Sequence, residues 1–214
     1  MRACVQLLSC NLILLEKRSV TPEFNDPSDN VALPLGVFED YRRLPLRKLF
    51  DLFGVPVLST PRAWINPLPL VPVMLLATFL LASRAYIIER ILLTILWTAL
   101  FELTSFIHSA GHILAGRAVN APMDRLVVTS SRQVNVYDGD QSRYPARVHV
   151  TRALGGPLAN IAVGLVMALL LLFGGYSPTF LVFMLLNFAF GFGSLAPVRS
   201  LDGEVLMYYL TRQP

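Results

Sequence analysis

The sequence predicts an all-α polytopic membrane protein, with about four transmembrane helices and a small cytoplasmic β-hairpin, and three observations carry that reading. The first is composition: 54% of the 214 residues are hydrophobic, only 15% are charged and the mean hydropathy is +0.56, too apolar for an ordinary soluble domain. The second is distribution. Residues 64–83, 91–116, 153–174 and 178–198 hold few or no charges, each over roughly 20 residues, which at about 1.5 Å per residue crosses about 30 Å of hydrocarbon. The third is sidedness. Sixteen of the eighteen Lys and Arg residues fall before the first stretch, between the second and third, or after the fourth, and only Arg84 and Arg90 fall on the other side. Basic residues accumulate in cytoplasmic loops, so both termini and the long middle loop are expected inside. The net charge of +4 then belongs to a membrane face, and a soluble enzyme, a disordered tail protein and a nucleic-acid binder are excluded.

Residues 1–63 read as a cytoplasmic N-terminal extension ahead of a membrane-embedded core over residues 64–214. Six prolines (Pro22, Pro27, Pro34, Pro45, Pro56 and Pro61) and a turn-rich acidic stretch from Thr21 to Asn30 interrupt any long periodic segment. Val5 to Leu15 suits a strand or short helix, and Arg47 to Phe53 an amphipathic turn or two on the membrane surface. Cys4 and Cys10 lie in a segment kept in a reducing compartment and are expected as free thiols. Leu7-Leu8-Ser9-Cys10 is not a lipoprotein processing site, because the nine residues before the cysteine hold no apolar core of the required length.

After the second span, Leu126–Thr129 and Val134–Tyr137 are strand-like and joined by a polar connector, with Asp138-Gly139 offering turn chemistry beyond them. This is the expected hairpin. Its unpaired edge is a liability that can also accept an extended peptide.

Two of the three histidines, His108 and His112, sit four apart inside the second span. On a helix both imidazoles then share one face, about 6 Å apart, where two nitrogens reach one ion. Polar groups in an apolar helix are costly and mark function. Haem is less apt, since its axial ligands come from opposite sides of the iron. A zinc site wants a third protein ligand, commonly a carboxylate or histidine. Asp202 follows the fourth span, which runs in the same direction as the second, so it is expected at a similar depth. His149, in the basic loop, is expected at the surface or facing headgroups.

Phe106-Ile107-His108-Ser109-Ala110-Gly111-His112, then Gly155-Gly156-Pro157-Leu158-Ala159-Asn160, then Ala196-Pro197 and Leu201-Asp202-Gly203 together resemble the site-2 protease family of intramembrane zinc metalloproteases. The resemblance covers residues from about 65 to 210. It implies Zn2+ as cofactor, with His108, His112 and Asp202 as ligands, and peptide-bond hydrolysis in or near the membrane. It also implies that Asn160 helps hold the substrate strand or polarise its carbonyl, and that Gly156-Pro157 permit close helix approach. The partners implied are the lipid bilayer and transmembrane or membrane-proximal polypeptides.

The chain departs from the family at the proton acceptor. Family members carry a glutamate after the first histidine, acting as general base toward the attacking water and general acid toward the leaving amine. Ser109 stands there instead, and a serine hydroxyl is no proton acceptor near neutral pH; its offset of about 100° from His108 on the helix also argues against a serine-protease pair. Ser194 likewise replaces a family asparagine. Glu204, two residues past Asp202, and Glu102, near the middle of the second span, are the candidate substitute bases. Glu102 lies about 10 Å along the axis from Ser109, too far for a direct role without intervening water. Three functions follow: an atypical active protease, a pseudoprotease that binds zinc and transmembrane helices without cutting, or a membrane metal carrier.

Overall fold

The computed structural model describes residues 37–211; Cys4, Cys10 and the segments read at Val5–Leu15 and Thr21–Asn30 lie outside the described residues. Within them, four strands and five α-helices follow one another: β1 (Arg47–Leu52), β2 (Val55–Ser59), α1 (Leu70–Leu81), α2 (Ile87–Ala118), β3 (Arg125–Val128), β4 (Gln133–Val136), α3 (Ala146–Gly174), α4 (Pro178–Gly193) and α5 (Asp202–Thr211).

Three helical segments, Ala63–Leu81, Ile87–Ala118 and Ala146–Gly174, are long and apolar enough to cross a membrane, where four spans were expected. The expected span at 178–198 is instead a 16-residue helix, α4. Proline disfavours helix at the residue before it and cannot donate within one, and the chain ahead of Pro197 turns back through Leu195 N–H to the Phe192 carbonyl and Ala196 N–H to the Gly193 carbonyl. This early stop returns Asp202 toward the other helices. Arg90, which the sequence places only between the first two spans, is buried: its guanidinium donates to the carbonyls of Thr78 and Ser83, each at 2.8 Å, and lies over the Phe79 ring. It staples α1 to α2.

The hairpin expected at 126–137 is present as β3 and β4, but it belongs to a larger sheet of order β1-β2-β3-β4. β1 and β2 are antiparallel, β2 runs parallel to β3 with Val57 opposite Leu126, and β3 and β4 are antiparallel. Arg47 to Phe53 is therefore mostly strand, not a helical turn. Its hairpin turns on Phe53 and Gly54 at φ 46° and 70°, the left-handed pair of a two-residue loop. Val55, Val57, Leu126 and Val128 pack with Ile113 of α2, and because Ile113 follows His112 directly, the sheet fixes the rotation of the histidine helix. At the other face, the Glu39 carboxylate accepts from Thr60 Oγ1 at 2.6 Å and Ser130 N–H at 2.8 Å, tying the preceding segment to the strands.

α2 and α3 cross at two glycines. A Cβ on Gly111 would collide with the Gly155 carbonyl, and one on Gly155 with the Gly111 carbonyl. No other residue type permits that separation, and it brings the side chains flanking the crossing into one site.

Candidate metal centre

His108 and His112 present their Nε2 atoms to each other at 3.0 Å and to Asp202, with His108 Nε2 3.0 Å from Oδ2 and His112 Nε2 3.2 Å from Oδ1. One ligand atom from each of the three lies within 4.8 Å of the others. Gly203, whose N–H donates to the Ser194 carbonyl at 2.8 Å, seats the start of α5 against the turn after α4. A Cβ there would strike the carbonyls of Leu195 and Ala196, so the residue after Asp202 must be glycine for the carboxylate to arrive.

Hydrogen bonding tests whether this trio suits a cation. His112 Nδ1 lies 2.7 Å from the Arg152 carbonyl; a carbonyl only accepts, so Nδ1 carries the hydrogen and Nε2 turns a lone pair inward. Asp202 brings more acceptors. Its two oxygens lie 3.0 and 3.2 Å from the His108 and His112 Nε2 atoms, and an ionised carboxylate only accepts. Acceptors converging this closely repel one another unless a cation sits among them. Two imidazoles and a carboxylate are a donor set that suits zinc.

α3 supplies the facing wall through a stripe at four-residue spacing: Arg152, Gly156 and Asn160. A Cβ on Gly156 would fall on the Nε2 atoms of both histidines, so glycine keeps the ligand space open. Asn160 is fully buried; its Nδ2 donates to the Thr104 carbonyl and to Asn187 Oδ1, both at 3.2 Å. Ser109 is buried beside the ligands, and its hydroxyl donates to Gln133 Oε1 at 3.3 Å. Gln133 Nε2 is buried without a partner.

A cavity of about 430 Å³ opens on the trio and is also lined by Glu102, Ser109, Gln133, Ser194 and Glu204. Both candidate substitute bases thus reach the same space. One oxygen of Glu204 accepts from Ser200 N–H at 2.6 Å, whereas Glu102 Oε1 is buried with no partner. Ser194 donates to the Gly191 carbonyl. His149, expected at the surface, is instead buried and stacked on Tyr209 with ring centroids 4.2 Å apart, because helix α3 begins seven residues before the expected span and carries it inward. Sequence reasoning passed over Gln133, Tyr137, Arg152 and Asn187. Arg152 is buried, donates to Gln141 Oε1 at 2.9 Å and lies 3.4 Å over the Tyr137 ring, and burial pushes the Tyr137 hydroxyl up so that it stays neutral. Arg152 had been counted only as a loop charge.

The fold is similar to that of the site-2 protease from Methanocaldococcus jannaschii, with a TM-score of 0.52 and 18% sequence identity over 78% of this chain and 72% of that chain. No protein-family model matches the chain, and no curated protein matches it.

Proposed function

We propose that the chain is a site-2-protease-like intramembrane zinc metalloprotease homologue whose peptide hydrolysis is impaired by Ser109, and that holds transmembrane or membrane-proximal polypeptides beside its metal. The observation that carries this is the convergence of His108, His112 and Asp202 at one point inside a site-2-protease-like fold. His108 Nε2, His112 Nε2 and the Asp202 carboxylate are the groups that would hold zinc. Zinc held by such a set polarises a peptide carbonyl and lowers the pKa of water to about 7.

The chain's own residues do the rest. The Arg152 carbonyl orients His112, and Ile113 in the sheet core keeps α2 from rotating. β4 is the last strand of the sheet, and its residues Gln133, Val134 and Asn135 line the cavity. An extended polypeptide segment adding to that edge would lie along the cavity with its backbone toward the trio. Ser109 accepts no proton from an attacking water, and its hydroxyl is committed to Gln133; this favours binding without efficient cutting.

Metal analysis tests the reading. Purified protein is expected to carry about one zinc per chain, lost in His108→Ala, His112→Ala and Asp202→Ala, since three protein ligands leave little tolerance for a missing one. Stoichiometric metal in all three variants would overturn the site. For orientation, the basic-residue asymmetry supports both termini and the Asp138 turn on the cytoplasmic side. A reporter fused at Asp138 is expected to register the inside, and an external signal would reverse the topology.

A further inference from the structure

Two buried polar atoms beside the trio have no hydrogen-bond partner, His108 Nδ1 and Asn160 Oδ1. Asn160 sits one turn from the His108 ring on both helices: its Nδ2 meets the carbonyl of Thr104, four residues before His108, and it follows by four residues Gly156, whose Cβ position falls on His108 Nε2. The sense of the Asn160 amide is fixed from behind. Its Nδ2 points at the Thr104 carbonyl, which only accepts, and at Asn187 Oδ1. Asn187 is fixed in turn, because its own Nδ2 donates to the Phe183 carbonyl at 2.8 Å and meets Thr104 Oγ1 at 3.4 Å. Backbone carbonyls at both ends of this chain of amides therefore leave Oδ1 as the end of Asn160 turned toward the histidine. Asn160, Asn187 and Thr104 are all fully buried, where an acceptor left unused is costly.

His108 has the complementary need. Its Nε2 faces Asp202 and His112, and an imidazole that offers Nε2 to a metal keeps its hydrogen on Nδ1 and requires an acceptor there. We infer that Asn160, held by Thr104 and Asn187, is the positioning residue that fixes His108 as its Nδ1–H tautomer and aims Nε2 at the metal. The inference rests on the metal-site reading above. It completes a symmetry across the α2–α3 crossing: Arg152 anchors His112 through a backbone carbonyl, Asn160 anchors His108 through a side-chain carbonyl, and Gly156 between them keeps the space open. Asn160 then touches the metal's ligand and acts only through His108.

With only three histidines in the chain, nitrogen-15 labelling of histidine in the full-length protein resolves each ring by NMR, and the shifts distinguish an Nδ1–H from an Nε2–H imidazole. In zinc-loaded wild-type protein the His108 Nδ1–H is expected as a hydrogen-bonded proton, shifted downfield and slow to exchange with solvent. Asn160→Ala is expected to lose that signature and to bind zinc about 10- to 100-fold more weakly in chelator competition, the usual cost of an outer-shell partner. Asn187→Ala disturbs the same interface but leaves Asn160 its bond to Thr104, and is expected to keep the hydrogen-bonded proton. A His108 Nδ1–H that exchanges freely in the zinc-loaded wild type overturns the inference whether or not Asn160→Ala folds. So does an Nδ1–H signature that survives in Asn160→Ala. A wild-type protein that binds no zinc defeats the metal-site reading and this inference with it, a result distinct from a zinc-loaded protein whose Nδ1–H exchanges freely.

Discussion

Ser109→Glu is expected to raise peptide cleavage by at least about 10²-fold over the wild type, the lower end of what a positioned general acid–base group contributes. The surroundings already hold what such a carboxylate needs. Gln133 Nε2 is a buried donor with no partner, adjacent to the Ser109 hydroxyl, and a glutamate at position 109 would accept from it. The same residue lines the cavity, so the longer side chain has space to extend toward a bound polypeptide. Cleavage of a model transmembrane substrate in reconstituted vesicles, compared between the two proteins at equal zinc content, is the measurement. Wild-type turnover equal to that of the variant would refute the impairment. Glu204→Gln and Glu102→Gln would then identify the carboxylate that acts, since both line the cavity.

Gly156→Ala is expected to abolish stoichiometric zinc binding while leaving the fold in place, with affinity weakened by at least about 100-fold. The added methyl falls on the Nε2 atoms of both histidines. Those rings cannot swing aside cheaply, because His112 is tied to the Arg152 carbonyl and His108 is held edge-on to the His112 ring with centroids 4.7 Å apart. Gly174→Ala is the control, since nothing lies within 4 Å of its new Cβ. Chelator competition reads the affinity and circular dichroism the fold. Unchanged zinc affinity in Gly156→Ala would mean that the metal does not sit between the two Nε2 atoms.

Three of the expected spans, the histidine pair and the arrival of Asp202 were legible because each is written in a local pattern: apolar runs of membrane length, a four-residue spacing, a carboxylate next to glycine after an apolar helix. The first half of the sheet was not. Arg47–Leu52 lacks a clean alternation, a bulge falls between Lys48 and Phe50, the turn puts Phe53 at positive φ, and β2 contains Pro56, which argues against a central strand. Its pairing with β3 joins segments separated by two membrane helices, a contact no local window registers. The fourth stretch is shorter than its sequence suggests for a related reason: residues 178–197 are uncharged throughout, but the turn before Pro197 ends the helix at Gly193. The surroundings of the trio stayed hidden because Arg152, Asn187 and Gln133 acquire their roles only through the α2–α3 crossing and the folding of β4 against α2.

The brevity of α4 has a physical consequence beyond bringing Asp202 home. Sixteen residues extend about 24 Å, several ångströms less than a bilayer's hydrocarbon thickness of about 30 Å. Were α4 to stand in a bilayer beside α2 and α3, lipid around so short a helix would thin to meet it, and the leaflet would be dimpled where α4 ends and the turn to Asp202 begins. Headgroups and their hydration would be drawn inward there, to a depth set by acyl-chain length. The wetness of the ligand cavity would then be partly a property of the host lipid: longer chains would press hydrocarbon further over the rim or raise the cost of deforming it, with no residue of the protein changed.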